Sequence, residues 1–176
     1  MDSQIVIVVL RLLHVTAGMF WVGSALTTSF LVLPAVRATG PAGGQFFGEF
    51  MRRSRYHQLM LVSGLVTIAT GLALYWDFYV GLAWSLSRPG PETVFGLGGL
   101  IAILVAVAAN TLIPSVSRQL AAVGRRIQAC GTDGGTPAAE LLAERGRLSL
   151  RLAHIGMANA SLLVVAVALM AVGRYV

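Results

Sequence analysis

IVIVVLRLLHVTAGMFWVGSALTTSFLVL, from Ile5 to Leu33, contains one formally charged side chain, Arg11, and one histidine, His14. About 20 helical residues cross a hydrocarbon core roughly 30 Å thick, so this run is long enough to span a bilayer. Three further runs meet or approach the same length, from His57 to about Val80, from about Thr93 to Pro114 and from about Leu150 to Ala171. Backbone polar groups in lipid must be satisfied within a helix or a closed barrel, and these runs lack the apolar/polar alternation of barrel strands. The expectation is an all-α, integral membrane four-helix bundle forming a single transmembrane domain over residues 1–176, with spans at about 5–33, 57–80, 93–114 and 150–171.

Composition agrees with lipid as the solvent. The 176 residues are 56% hydrophobic and only 11% charged, whereas soluble domains carry about 25% charged residues. The start is acidic, with Asp2, and its apolar run is longer than a signal peptide's hydrophobic region, so it reads as a retained span. One cysteine, Cys130, excludes an internal disulfide or a CxxC pair and reads as a loop residue without a role.

All 13 basic residues are arginines, and ten of them follow span one or separate spans three and four: Arg37, Arg52, Arg53, Arg55, Arg118, Arg125, Arg126, Arg145, Arg147 and Arg151. By the positive-inside rule this asymmetry places both termini on the non-cytoplasmic side of a cell membrane, as in a multi-pass protein of a bacterial inner membrane. The net charge of +6 is therefore an orientation signal. Nucleic acid is not an expected partner, because the chain has no folded basic domain or base-reading motif.

Between the spans, residues 45–56 form an amphipathic stretch in which Phe46, Phe47, Phe50 and Met51 meet lipid while Arg52, Arg53 and Arg55 reach headgroups. Residues 118–149 read as a cytoplasmic connector with a glycine-rich break and a short helix starting near Thr136 and Pro137. The opposite loop, Trp84 to Thr93, is short, punctuated by Pro89, Gly90 and Pro91, and carries Arg88.

The three histidines, His14, His57 and His154, all fall within or at the edge of a span. An imidazole in lipid needs a partner, which makes each one a candidate ligand. On span one, Arg11, His14, Gly18 and Trp21 share a helical face. Arg11 is placed to hold a propionate, Gly18 to make room for a flat macrocycle and Trp21 to cap the pocket. On span two, Gly64 and Gly71 follow His57 at seven-residue intervals and make a groove for a neighbouring helix or a porphyrin plane. Asn110 in span three and Asn159 in span four are amides that need partners.

Depth separates the histidines. His57 and His154 lie near the basic end, whereas His14 is roughly 25 Å outward at about 1.5 Å per residue. One iron cannot bind both His14 and His57. The expectation is a bis-histidine haem b on His57 and His154 and a second outer site at His14. Copper on His57, His154 and a methionine is the alternative metal. The spans carry no central carboxylate for a proton-coupled transporter, and no HExxH, P-loop or GxSxG motif occurs.

The segment LRLLHVTAGMFWVGSALTTSFLVLP, Leu10 to Pro34, resembles the first helix of small membrane proteins of the copper-resistance D-like group, and more distantly that of HemJ-type protoporphyrinogen oxidases. The resemblance rests on His14, Trp21 seven residues later, the Trp21-x-Gly23 step and Pro34, over about 25 residues. In HemJ-like proteins the first-helix histidine is regarded as a haem b ligand, which the resemblance carries onto His14. Their basic partner in a later helix has no counterpart as a lysine here. The copper-resistance resemblance implies copper handling.

The functional expectation is thus a haem b membrane protein, with one or two haems, that transfers electrons or reacts with a quinone or a small gas. It would meet the lipid bilayer, a redox protein and further copies of itself as partners. The other two readings are a copper-binding or copper-transport membrane protein and a structural membrane subunit whose histidines bond between helices.

Overall fold

In the computed structural model, residues 3–81, 90–132 and 139–175 are described. The opposite loop as far as Pro89, with Trp84 and Arg88, and the start of the second connector helix at Thr136 and Pro137 lie outside them. Helix α1 (Ser3–Leu26) passes through a π-helical turn (Thr27–Val32) into α2 (Leu33–Ala38). Then follow α3 (Gly40–Arg53), α4 (Tyr56–Gly81), α5 (Pro91–Thr132) and α6 (Ala139–Val172), which closes in a 3-10 turn (Gly173–Tyr175). Among the described residues four stretches are long and apolar enough to cross a membrane: Gln4–Ala38, Tyr56–Asp77, Pro91–Cys130 and Ala139–Tyr175.

The four long helices pack as a ring in which α1 meets α4, α4 meets α5, α5 meets α6 and α6 returns to α1. The pairs α1/α5 and α4/α6 lie across the diagonals and barely touch. Large apolar side chains such as Leu12, Met19, Leu65, Leu104 and Val107 face outward, as a lipid solvent allows. The interior is built from small residues instead. Ala102 and Val105 of α5 are buried with Leu163 and Ala166 of α6, and Trp21 completes the cluster. Close approach explains this choice, because lipid gives no hydrophobic drive between helices and tight backbone packing takes its place. At Gly98 a Cβ would lie 3.2 Å from the Ala166 carbonyl oxygen.

Helices α5 and α6 run further than the expected spans. Their 42 and 34 residues measure roughly 63 and 51 Å at about 1.5 Å per residue. Both exceed the ~30 Å hydrocarbon core. The described parts of the expected connector are therefore helical, with Val123 buried within it and Val116 and Ala153 buried just beyond its two ends. Six arginines of this extension, Arg118, Arg125, Arg126, Arg145, Arg147 and Arg151, are exposed. Cys130 lies in the last turns of α5 and not in a loop.

A corner joins span one to the amphipathic helix. Thr39 closes α2 by donating its hydroxyl to the Ala35 and Val36 carbonyls, and Gly40 takes the left-handed φ of 61° that a side chain would strain. Helix α3 starts earlier than the expected stretch. Its Phe46, Phe47 and Phe50 rings pack together, Phe50 reaches Tyr56, and Glu49 pairs with Arg52 and Arg53 on the polar side. The two guanidiniums hold the Glu49 carboxyl below its usual range. Ser54, with extended φ/ψ of −82° and 151°, ends the helix.

Candidate functional site: a cavity beside His14

Helices α1 and α4 meet in an antiparallel register that three contacts mark. Gly71 faces the His14 ring, Thr67 faces Gly18 and Gly64 faces the Trp21 ring. Each step along α1 is matched by an equal step back along α4. Small residues on one helix thus receive large rings from the other. A Cβ at Gly71 would stand 2.8 Å from His14 Cε1, and one at Gly64 would stand 3.2 Å from Trp21 Cε2. The grooves at Gly64 and Gly71 are filled by α1, and Gly18 sits in ordinary contact range of the Thr67 methyl, 3.5 Å away. Gly71 also borders the cavity that His14 lines, whereas Gly18 and Gly64 do not.

The polar side of α4 is what fixes His14. Ser63, Thr67 and Thr70 are buried and return their hydroxyls to their own helix, at the Met60, Ser63 and Val66 carbonyls. His14 Nδ1 lies 2.8 Å from the Thr67 carbonyl oxygen and 3.4 Å from Thr70 Oγ1. A carbonyl can only accept, so Nδ1 carries the proton and donates it. In the neutral ring the lone pair then belongs to Nε2, which has no hydrogen-bond partner among the described residues. A hydrogen bond of this kind fixes the tautomer and the direction of the ring and leaves Nε2 as the ring's free acceptor.

His14 lines a cavity of about 670 Å³ between α1, α4, α5 and the end of α6, within the roughly 300–1,000 Å³ of small-molecule and cofactor sites. Its walls are mostly apolar, with Ile68, Leu72, Ala102 and Ile103, and Gly99 adds space. Nothing lies within 4 Å of where a Gly99 Cβ would be. Among the described residues its charged lining is Arg11, Asp77 and Arg174. The cavity thus brings together a half-buried imidazole whose Nε2 has no hydrogen-bond partner among the described residues, apolar walls and two arginines.

The other two histidines are placed differently. His57 and His154 are both exposed, and they belong to α4 and α6, which lie across the bundle diagonal. Among the described residues no hydrogen bond joins either of them to His14 or to the other. Among the described residues there is no group of three or more His, Cys, Asp or Glu side chains that could hold a metal ion. Asn110 is exposed and returns its amide to the Ala106 carbonyl, while the buried Asn159 Nδ2 has no partner among the described residues.

Several residues of this region escaped sequence reading. Thr67 and Thr70 carry no motif; their four-residue spacing from Ser63 and Val66 is the only signal. Arg174 reads as an orientation charge until the 3-10 turn folds it over the cavity. A second hollow of about 480 Å³ lies where the π-helical turn meets α3, bounded by Met19, Thr28, Phe46, Phe50 and Tyr56. There Tyr56 donates its hydroxyl to the Ser24 carbonyl and pairs with the Thr28 hydroxyl. π-turns of this kind recur at functional sites.

Comparison of the chain with protein-family models, with curated proteins and with solved structures gives no match.

Proposed function

We propose that this four-helix membrane protein holds a haem b in the outer cavity through His14 and serves transmembrane electron transfer or a redox reaction with a quinone or a small gas. The observation that carries the reading is the Nδ1 hydrogen bond to the Thr67 carbonyl, which leaves Nε2 without a partner among the described residues on a side chain lining a 670 Å³ cavity. Bound there, haem iron would supply one-electron chemistry. The chain's own residues would fix the tautomer at Nδ1, turn the ring through its contact with Gly71, exclude water with Ile68, Leu72 and Ile103, and meet carboxylates with Arg11. With both termini at the end opposite the arginine-rich extension, the cavity would open toward the non-cytoplasmic face, in keeping with a bacterial inner-membrane protein. The inner bis-histidine site on His57 and His154 has weaker support, because those rings are exposed on helices that do not pack together.

A second reading draws on the same hydrogen bond. His14 would simply tie α1 to α4, and the chain would be a structural subunit. Copper handling, implied by the family resemblance, is the third. An optical spectrum with pyridine-haem quantification and metal analysis on detergent-purified protein separates them. A Soret band with near-stoichiometric haem supports the proposal, copper without haem supports the third reading, and neither after mild extraction supports the second.

A further inference from the structure

Two cations at the rim of the His14 cavity come from opposite ends of the chain. Arg11 stands one turn before His14 on α1, and Arg174 belongs to the 3-10 turn that closes α6. The turn is seated by packing. Gly173 is buried, and a Cβ there would lie 3.1 Å from the Phe95 ring of α5, so the backbone on the N-terminal side of Arg174 is held against the cavity wall. Its guanidinium lies 5.5 Å from the centroid of the Tyr175 ring, and its side chain lines the same cavity as His14 and Arg11. The third charged residue of the lining, Asp77, forms no ion pair with either arginine, and both arginines lack an acidic partner among the described residues.

Arg11 and Arg174 are exposed at the rim, where a guanidinium without an acidic partner can bind a carboxylate through paired hydrogen bonds. One arginine beside a cavity is satisfied by snorkelling to headgroups. Two, carried on separate helices and converging on a single apolar slot, suit a ligand with an apolar body and two carboxylate arms on one edge. We propose that Arg174 and Arg11 form a two-point carboxylate clamp that orients the ligand of the His14 cavity with its carboxylates toward the termini end of the bundle. The clamp rests on the haem reading above, in which the two arms are the propionates.

The test uses full-length protein in detergent, stripped of bound pigment and titrated with ferric haem and, separately, with its dimethyl ester, which lacks the two charges. Binding is followed by the Soret band and by quenching of tryptophan fluorescence. Charge-assisted hydrogen bonds of this kind correspond to about 10-fold or more in affinity. Haem is therefore expected to bind about 10-fold or more tightly than the ester. Arg174→Gln and Arg11→Gln should each remove most of that advantage while leaving ester binding unchanged, and the preserved ester affinity shows that the variants fold. Equal binding of haem and ester that still depends on His14 would overturn the clamp and spare the haem reading. A parallel loss of both ligands in Arg174→Gln would also overturn the clamp, since it would mark Arg174 as structural. If neither compound gives a bound Soret band with the native chain, both proposals fail.

Discussion

Replacing Gly71 with alanine places a methyl group 2.8 Å from His14 Cε1 and 3.1 Å from Nδ1. Carbon atoms pack at about 3.5–4.0 Å, so the imidazole has to retreat by roughly 0.7 Å or more. Its Nδ1 bond to the Thr67 carbonyl is 2.8 Å long, and such a displacement takes it to the edge of hydrogen-bonding range. Three terms set the stability change. Overpacking costs about 1–3 kcal/mol, the weakened hydrogen bond costs about 0.5–1.5 kcal/mol, and alanine's better helix propensity returns about 1 kcal/mol. The net is a destabilisation of about 0.5–3.5 kcal/mol, seen as a lower midpoint for thermal unfolding in detergent. The functional consequence is sharper, because the tautomer and direction of the ring depend on that one bond. Haem titration of Gly71→Ala should show weaker binding and an altered Soret maximum. Gly64→Ala is the control: its methyl group meets Trp21 at 3.2 Å, disturbs the same interface and leaves His14 alone. Native haem affinity and spectrum in Gly71→Ala would refute the claim that the Gly71 contact positions the ligand.

Three further outcomes can be checked on the same protein. Tyr56→Phe removes the hydroxyl that joins α4 to the Ser24 carbonyl and Thr28 and should cost about 1–3 kcal/mol by thermal unfolding; an unchanged midpoint would mean that the π-turn is held by other contacts. At Gly43 a Cβ would collide with the Val36 carbonyl and the Thr39 hydroxyl, so Gly43→Ala should destabilise the α2–α3 corner by about 1–3 kcal/mol, and protease sensitivity confined to that corner would register it. Glu49 titrates below its ordinary range because Arg52 and Arg53 favour the carboxylate. Its ion pairs are therefore fully formed above the unfolded-state pKa and are lost as pH falls through the lower folded-state value. In a carboxyl NMR titration, Arg52→Gln with Arg53→Gln should raise the Glu49 midpoint, and no upward movement would contradict the assignment.

The spans were legible because lipid imposes a length and an apolar content that few other environments demand. Their outer limits were not. The segment after Pro114 is polar enough to leave the bilayer, yet its leucine, alanine, glutamine and arginine content favours helix, and Val116 and Val123 give it a buried seam against α6. Helix propagation does not stop at the membrane surface. The faces of α1 and α4 were also visible, since spacing alone puts His14, Gly18 and Trp21 together and aligns Gly64 with Gly71. What occupies the glycine notches is a tertiary fact. Nothing in a single chain says that Trp21 fills one and His14 the other. The carbonyl of Thr67 is less legible still, because a backbone acceptor has no residue signature. Arg174 illustrates the same limit: its charge reads as topology, and only the seating of Gly173 on Phe95 places it at the cavity.

The most direct measurement is the optical spectrum and haem content of His14→Ala beside His57→Ala and His154→Ala, each purified in parallel with the native protein. The account predicts that His14→Ala loses the outer-cavity haem signal while the other two variants keep it. Full haem retention with an unaltered Soret band in His14→Ala would contradict it, whatever the other variants show.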